Sequence, residues 1–318
     1  MTALGSLVGF AIVFLSVAIG LSALACAAVA AFGSTLARRG PAVERRAVEL
    51  AAIVPVALAL LVVVVLVTHS ALTIDHCPVH GHHAHLCIAH GAAWLDQPWA
   101  IALASAAAVV AVGRAVVLAT AMTRGRRRVG ALARLARPVG DVQLVESTRA
   151  FCFVAGLRRS AIYASTAAWD GLADDERGAM LAHERGHVRG HDVARRALLE
   201  LILVASAPLA STFLIARWEH ATERLRDADA ARVTEPEAVA RALVAMCRLG
   251  AVRVAGASFE AGGRALARRV ESVLAEGPIG EPAARRLAVA ATAAVVAIAL
   301  ATALLASPVH HALETLLG

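Results

Sequence analysis

Residues 183–187 read His-Glu-Arg-Gly-His, an H-E-x-x-H run. Residues four apart lie one above the other on a helix, so His183 and His187 would present both imidazoles to one metal ion. Glu184 would lie beside them as a general base. The run therefore predicts a hydrolytic zinc site on a helix. The alternative interpretation is a surface helix that carries two solvated histidines.

The chain around this run is too apolar for a soluble domain. Its 318 residues are 59% hydrophobic, with a mean hydropathy of +0.68. A helix needs about 20 apolar residues to cross the hydrocarbon core of a bilayer. Four uncharged runs approach or exceed that length, at residues 1–37, 50–68, 97–113 and 287–309. We predict a mainly α membrane protein with about four transmembrane helices, the first a retained anchor.

The distribution of basic residues predicts how these helices are oriented. Since no lysine occurs in the chain, all of these residues are arginines. Arginines cluster after the first and third uncharged runs, whereas the loop at residues 69–96 contains Asp75 and Asp96 and no arginine. Basic loops stay in the cytoplasm. Both termini are therefore expected outside the cell, at the cell membrane. The net charge of +7 then reflects topology and contact with anionic lipid headgroups, not direct binding of nucleic acid.

Three parts follow from this orientation. Residues 1–120 would form three transmembrane helices with the external loop 69–96, and residues 286–318 the last transmembrane helix and a short external tail. Residues 121–285 would form a cytoplasmic domain that carries the H-E-x-x-H run, because no other segment is long enough to bury its own core. Within it, residues 142–146, 150–155 and 159–165 predict a short antiparallel sheet. The helix that follows is expected to run to about Gly190.

A third metal ligand must come from elsewhere, since catalytic zinc usually takes three protein side chains. One type of zinc site has a histidine six residues after the run, but that position is Val193. His191 would lie about 12 Å from His183 along a continuous helix, which is too far for the same ion.

Another type of zinc site takes a glutamate from a later helix, with an aspartate four residues further on. Glu223 and Asp227 fit this spacing, with Glu223 as ligand and Asp227 as hydrogen-bond partner of His183. Glu219, one turn earlier, is the competing ligand. The alternative without a metal is that Glu219, Glu223 and Asp227 form a solvated acidic face of the helix.

Residues 201–216, sixteen uncharged residues that include Pro208, separate the two ligand helices. A single crossing of the membrane would place Glu223 and His183 on opposite sides. We therefore expect a broken or re-entrant helix that dips into the cytoplasmic leaflet.

The external loop holds a second group of metal-binding side chains. Thiolates with imidazoles suit zinc or copper, and the alternative is a disulfide with incidental histidines. The residues are His76, Cys77, His80, His82, His83, His85, Cys87 and His90.

Residues 181–192, together with residues 156–163 and 223–229, resemble the BlaR/MecR family of membrane metallopeptidases, which are beta-lactam sensors and antirepressor peptidases. The resemblance implies a cytoplasmic gluzincin-type α+β domain with zinc as cofactor. It also implies cleavage of a transcriptional repressor after an external signal. Only nine residues follow residue 309, so we expect no penicillin-binding sensor domain. With no lysine, an S-x-x-K acylation site is excluded.

The leading hypothesis is an integral-membrane zinc endopeptidase with a regulatory role, whose partners are a protein substrate and the lipid bilayer. An HtpX-type quality-control protease is one alternative. A non-enzymatic metal receptor built on the histidine-rich loop is the other. The oxyanion donor is left open among His191, His220 and Tyr163.

Overall fold

The computed structural model describes residues 3–72, 97–250, 263–275 and 280–304. Helices make up most of these residues. The helices are α1 (Ala3–Arg38), α2 (Pro41–Leu72), α3 (Pro98–Leu135), α4 (Thr166–Gly171), α5 (Asp174–Gly190), α6 (Asp192–Ile202), α7 (Pro208–Ala231), α8 (Pro236–Arg248), α9 (Gly263–Leu274) and α10 (Glu281–Leu304). The strands are β1 (Ala136–Val139), β2 (Val142–Val145), β3 (Cys152–Ala155) and β4 (Ala161–Ser165).

Four of the described helices are long and apolar enough to cross a membrane, in agreement with the sequence prediction. They are parts of α1, α2, α3 and α10, at Leu7–Arg38, Pro41–Thr68, Ile101–Leu135 and Glu281–Ala301. The third helix continues without a break from the apolar run through the arginine-rich segment that follows it, and leads directly into β1.

The sheet has the strand order β1-β2-β4-β3 and is mixed. The three predicted strands are present, but the prediction of a purely antiparallel sheet was wrong, because β2 and β4 pair in parallel from Val142 opposite Ile162. The reason is the chain path: β3 lies at the far edge, and its hairpin returns β4 into the space beside β2. Strand β1, which contains Pro138, was not predicted from the sequence. An edge strand tolerates proline, since one side of its backbone needs no partner.

The helix that carries the H-E-x-x-H run packs on one face of this sheet. Met180 and Leu181 of α5 are buried against Ile162 and Ala164 of β4. The other face of the sheet meets α3, where Tyr163 packs in an aromatic cluster with Phe153. Alternate residues of β4 thus point to α5 and α3, as the period of two in a strand requires.

The predicted helix break between the two ligand helices is present. The sixth helix ends at Ile202, a 3₁₀ turn covers Leu203–Ala205, and α7 begins at Pro208. Proline is favoured at the first helical position, where its missing N–H leaves no bond unmade. Apolar residues on both sides of the break are buried against α1 and α2. They are Leu199, Leu203, Leu214 and Trp218, packed on Val29, Val48 and Ala52.

Candidate metal centre

The α5 helix ends at Gly190, as its sequence predicts. Three acids occupy its first turn, and Glu176 accepts a hydrogen bond from the backbone N–H of Ala173. Acids at this end also interact favourably with the helix dipole. The helix ends at Gly190 because His191 adopts a left-handed conformation, with φ of 52°. This interruption sends the next helix, α6, in a new direction.

His183, His187 and Glu223 meet at one point between α5 and α7. The Nε2 atoms of the two histidines lie 3.1 Å apart. Glu223 Oε2 is 3.7 Å from His183 Nε2, and Glu223 Oε1 is 3.6 Å from His187 Nε2. One ligand atom from each residue lies within 4.8 Å of the others, and this is the metal-binding group found among the described residues.

These distances fit one divalent cation. For bonds of about 2.0–2.2 Å, the ligand atoms of a tetrahedral site stand roughly 3.3–3.6 Å apart. The three observed separations lie close to that range, and a three-residue group leaves one coordination position open. The group is therefore chemically and geometrically suited to a catalytic metal ion.

His183 is oriented by Asp227. The distance between His183 Nδ1 and Asp227 Oδ1 is 2.9 Å. Asp227 is buried and also accepts two hydrogen bonds of 2.7 Å from the Arg269 guanidinium. Burial alone would raise the pKa of Asp227, but Arg269 and His183 outweigh it and hold the pKa well below its usual range. An ionised carboxylate only accepts, so Nδ1 carries the proton and Nε2 offers its lone pair to a metal.

His187 is oriented in the same way by Asp192, the first residue of α6. His187 Nδ1 lies 2.9 Å from Asp192 Oδ2. The Arg226 guanidinium donates to both oxygens of Asp192, at 2.7 Å and 3.0 Å. Burial opposes ionisation of Asp192, but these hydrogen bonds lower its pKa below the ordinary range. Each histidine of the group is thus paired with a buried aspartate, and each aspartate with an arginine that donates twice.

Asp192, Arg226 and Arg269 were not predicted from the sequence as part of the site. Asp192 lies five residues after His187, and only the helix end at Gly190 returns it to the His187 ring. Gly190 was the feature of the sequence that could have predicted this helix end. Arg269 comes from α9, 42 residues after Asp227, and no local pattern indicates the contact.

The surroundings of Glu223 stabilise the ionised form of its carboxylate. Burial would raise its pKa, but the positive charges of Arg269, His187 and His183 lower the pKa to about 2. Arg269 Nη1 lies 3.1 Å from Glu223 Oε2. The residue is therefore an anion at neutral pH, as a carboxylate ligand of a metal must be.

Glu184 is 8% exposed and lies beside the two histidines. Burial raises the pKa of Glu184, and the charges of His183 and His187 only partly counter this effect. A general base works best when its pKa is closer to the operating pH than that of a free glutamate. The Glu184 carboxylate also interacts electrostatically with the Cys152 thiol of β3, so this strand passes close to the site.

The competing ligand Glu219 is directed elsewhere. Its Oε1 lies 2.5 Å from Arg196 Nε, and Arg196 also contacts Glu200 at 3.0 Å. Of the residues considered as oxyanion donors, Tyr163 is buried on the α3 side of the sheet, away from α5. His191 is exposed at the turn after α5. The cysteines and histidines of the predicted external loop, residues 76–90, lie outside the residues that the structure describes.

Residues 122–268 match the family model of Peptidase family M48. The matched range contains the sheet and every member of the metal-binding group, and it supports a membrane metallopeptidase family without confirming the BlaR/MecR resemblance. No curated protein and no solved structure matches the chain. The match and the site geometry together indicate that residues 122–268 form a metallopeptidase domain similar to Peptidase family M48, in a chain with four candidate membrane spans.

Proposed function

We propose that the protein is an integral-membrane zinc-dependent endopeptidase whose zinc ligands are His183, His187 and Glu223. The observation that carries the proposal is the convergence of these three side chains, with both histidines held in the tautomer that offers Nε2. Imidazoles with one carboxylate are a ligand set of catalytic zinc. Zinc bound there would supply Lewis-acid polarisation of a peptide carbonyl and a water molecule.

In this mechanism Glu184 moves the proton. Its carboxylate takes a proton from the attacking water as the water oxygen bonds to the carbonyl carbon. It then gives that proton to the amide nitrogen, the C–N bond breaks, and a carboxylic acid and an amine leave. The raised pKa of the buried Glu184 suits both transfers.

The free edge of β3 is the proposed binding site for the substrate backbone. Among the described strands, β3 pairs only with β4, so no described strand pairs with its other edge, where the substrate would add as a further strand. An extended peptide bound there would pass near Glu184, since that carboxylate interacts with Cys152 of β3. Recognition through the main chain would make cleavage depend on an extended conformation more than on side-chain identity.

For the biological role, the two hypotheses differ in substrate. The first hypothesis is cleavage of one cytosolic protein, such as a repressor. The arginine distribution supports a site on the cytoplasmic side, and only the sequence resemblance supports a repressor as substrate. The match to family M48 favours quality control of the HtpX type, because HtpX-type proteases belong to that family. Broad cleavage of denatured membrane proteins would support the second role. Cleavage of one folded partner would support the first.

The experiment that tests the proposed chemistry compares variants of the purified full chain. Glu184→Gln should abolish cleavage of an unfolded protein substrate while the protein retains one equivalent of zinc. Glu223→Ala should lose the zinc, whereas Glu219→Ala, the matched control one turn earlier, should keep it. Turnover by Glu184→Gln would overturn the assigned base. If zinc binds only at residues 76–90, and His183→Ala loses none, the peptidase hypothesis would give way to that of a metal receptor.

A further inference from the structure

The first turns of α2 carry charged side chains that reach the metal centre. Arg45 Nη1 lies 3.2 Å from Asp192 Oδ1, and both side chains are largely buried. This arginine lies near the start of the candidate membrane span Pro41–Thr68. A guanidinium of a membrane helix therefore contacts the carboxylate that orients His187.

Asp192 has a complete set of donors only when Arg45 is included. Its Oδ2 atom faces His187 Nδ1 and Arg226 Nε. Its Oδ1 atom faces Arg226 Nη2 and Arg45 Nη1. A carboxylate offers about four acceptor positions, and all four are used here. Loss of Arg45 would leave Oδ1 with one donor and allow the carboxylate to rotate on Arg226.

Arg45 is itself held in place from α2 and α7. Its Nε atom lies 3.7 Å from Glu49 Oε1, one turn along α2. Glu49 is buried and accepts a hydrogen bond from Trp218 Nε1 at 3.2 Å. Because Trp218 lies on α7, the helix that carries Glu223, the Arg45–Glu49 pair connects α2 to both halves of the metal centre.

We propose that Arg45 is a positioning residue for His187, acting through Asp192, and that α2 is thereby part of the support of the metal centre. The inference rests on the proposed function in one respect, that His187 binds the metal. Its consequence is that the position of a membrane helix influences the affinity for the ion. A metallopeptidase domain separated from α2 would bind zinc more weakly than the full chain.

The test measures zinc affinity of the full chain in detergent by competition with a chromophoric chelator. Arg45→Gln should raise the Kd for zinc about tenfold, the lower end of the effect seen for groups that orient metal ligands. Arg45→Lys, which keeps a donor and a charge, should recover part of the loss. Arg38→Gln is the control, because Arg38 is exposed at the end of α1 and donates to the Thr35 hydroxyl one turn earlier. The Kd of this variant for zinc should stay within about twofold of wild type.

Two measurements distinguish an effect through Asp192 from a general loss of stability in the Arg45 variant. They are a double-variant cycle and the absorption spectrum of bound cobalt. If Arg45 acts through Asp192, Arg45→Gln should change neither the Kd nor the cobalt spectrum further in an Asp192→Asn background. An unchanged Kd in the single variant, or an equal loss in the Asp192→Asn background, would overturn the inference and leave the peptidase proposal intact. A wild-type protein without zinc would overturn both.

Discussion

The His187 imidazole faces the Asp192 carboxylate, with 2.9 Å between Nδ1 and Oδ2. Burial lowers the pKa of His187, but the Asp192 hydrogen bond and the Glu223 charge outweigh burial and raise the pKa above its usual value. A raised pKa means a more basic imidazole, and a more basic imidazole binds a metal ion more strongly, because the same nitrogen lone pair binds the proton or the metal. Two Nε2 lone pairs only 3.1 Å apart repel each other unless a proton or a metal ion lies between them.

Replacing Asp192 by asparagine should weaken metal binding without removing it. The amide can no longer favour the Nδ1–H tautomer by its charge, so we expect the Kd for zinc to rise about 10- to 100-fold. Chelator competition measures the change. Asp141→Asn is the control, since the exposed Asp141 accepts two hydrogen bonds from Arg185 of α5, the helix that carries His187. Equal affinities for the two variants would contradict the assigned role of Asp192.

Much of the centre could be predicted from the sequence because it depends on local geometry. His183 and His187 are four residues apart on one helix, and Glu223 and Asp227 repeat that spacing on another. The arginines could not be predicted, because Arg226 and Arg269 act through tertiary contacts between helices. The parallel pairing of β2 with β4 was missed for a similar reason, since the order of strands in the sheet is not contained in any one strand.

Gly190 allows the Arg226 guanidinium to approach the end of α5. A Cβ at this position would overlap that guanidinium. Gly190→Ala should therefore displace Arg226 from Asp192, lower the melting temperature and weaken zinc binding.

Gly178→Ala is the matched control in the same helix, because an added Cβ there meets no atom within 4 Å. It should raise the free energy of unfolding by about 0.5–1 kcal/mol, since glycine is unfavourable within a helix. Thermal melts of both variants decide the matter. Stabilisation by Gly190→Ala would show that Arg226 does not occupy this space.

Two cysteines of the peptidase domain should differ in reactivity. Burial, followed by the Glu184 charge, raises the pKa of the Cys152 thiol well above its usual value, whereas Cys247 is exposed. Alkylation requires the thiolate, and a raised pKa reduces the thiolate fraction at a given pH. At pH 7.5, Cys152 should react with iodoacetamide at least about tenfold more slowly than Cys247.

Mass spectrometry of the two labelled peptides measures this ratio within one sample, so Cys247 serves as an internal control. Faster labelling of Cys152 after Glu184→Gln is expected, because the nearby negative charge is removed. Equal rates in the wild type would show that β3 does not pack against α5 as described.

Arg114 of α3 supplies donors to the break between α6 and α7. Its guanidinium donates to the carbonyl oxygens of Leu203, at 2.7 Å, and of Ser206, and to the Ser211 hydroxyl at 2.7 Å. The last carbonyls of a helix lack partners within the helix. Backbone polar groups that are buried in a protein need hydrogen-bond partners within it. The backbone N–H of Ala207 fits the same principle, since it donates to the buried Ser22 hydroxyl of α1.

Arg114→Met should therefore destabilise the corner that joins the two ligand helices. We expect a loss of about 1–3 kcal/mol for each carbonyl left without a donor, measured by reversible unfolding in mixed micelles. Thr120→Val on the same helix is the control, because the Thr120 hydroxyl bonds only to the Val117 carbonyl one turn earlier. Since the corner fixes α7 relative to α5, zinc affinity should fall with stability in Arg114→Met. Unchanged unfolding would mean that the break is satisfied by other donors and that α3 does not hold it.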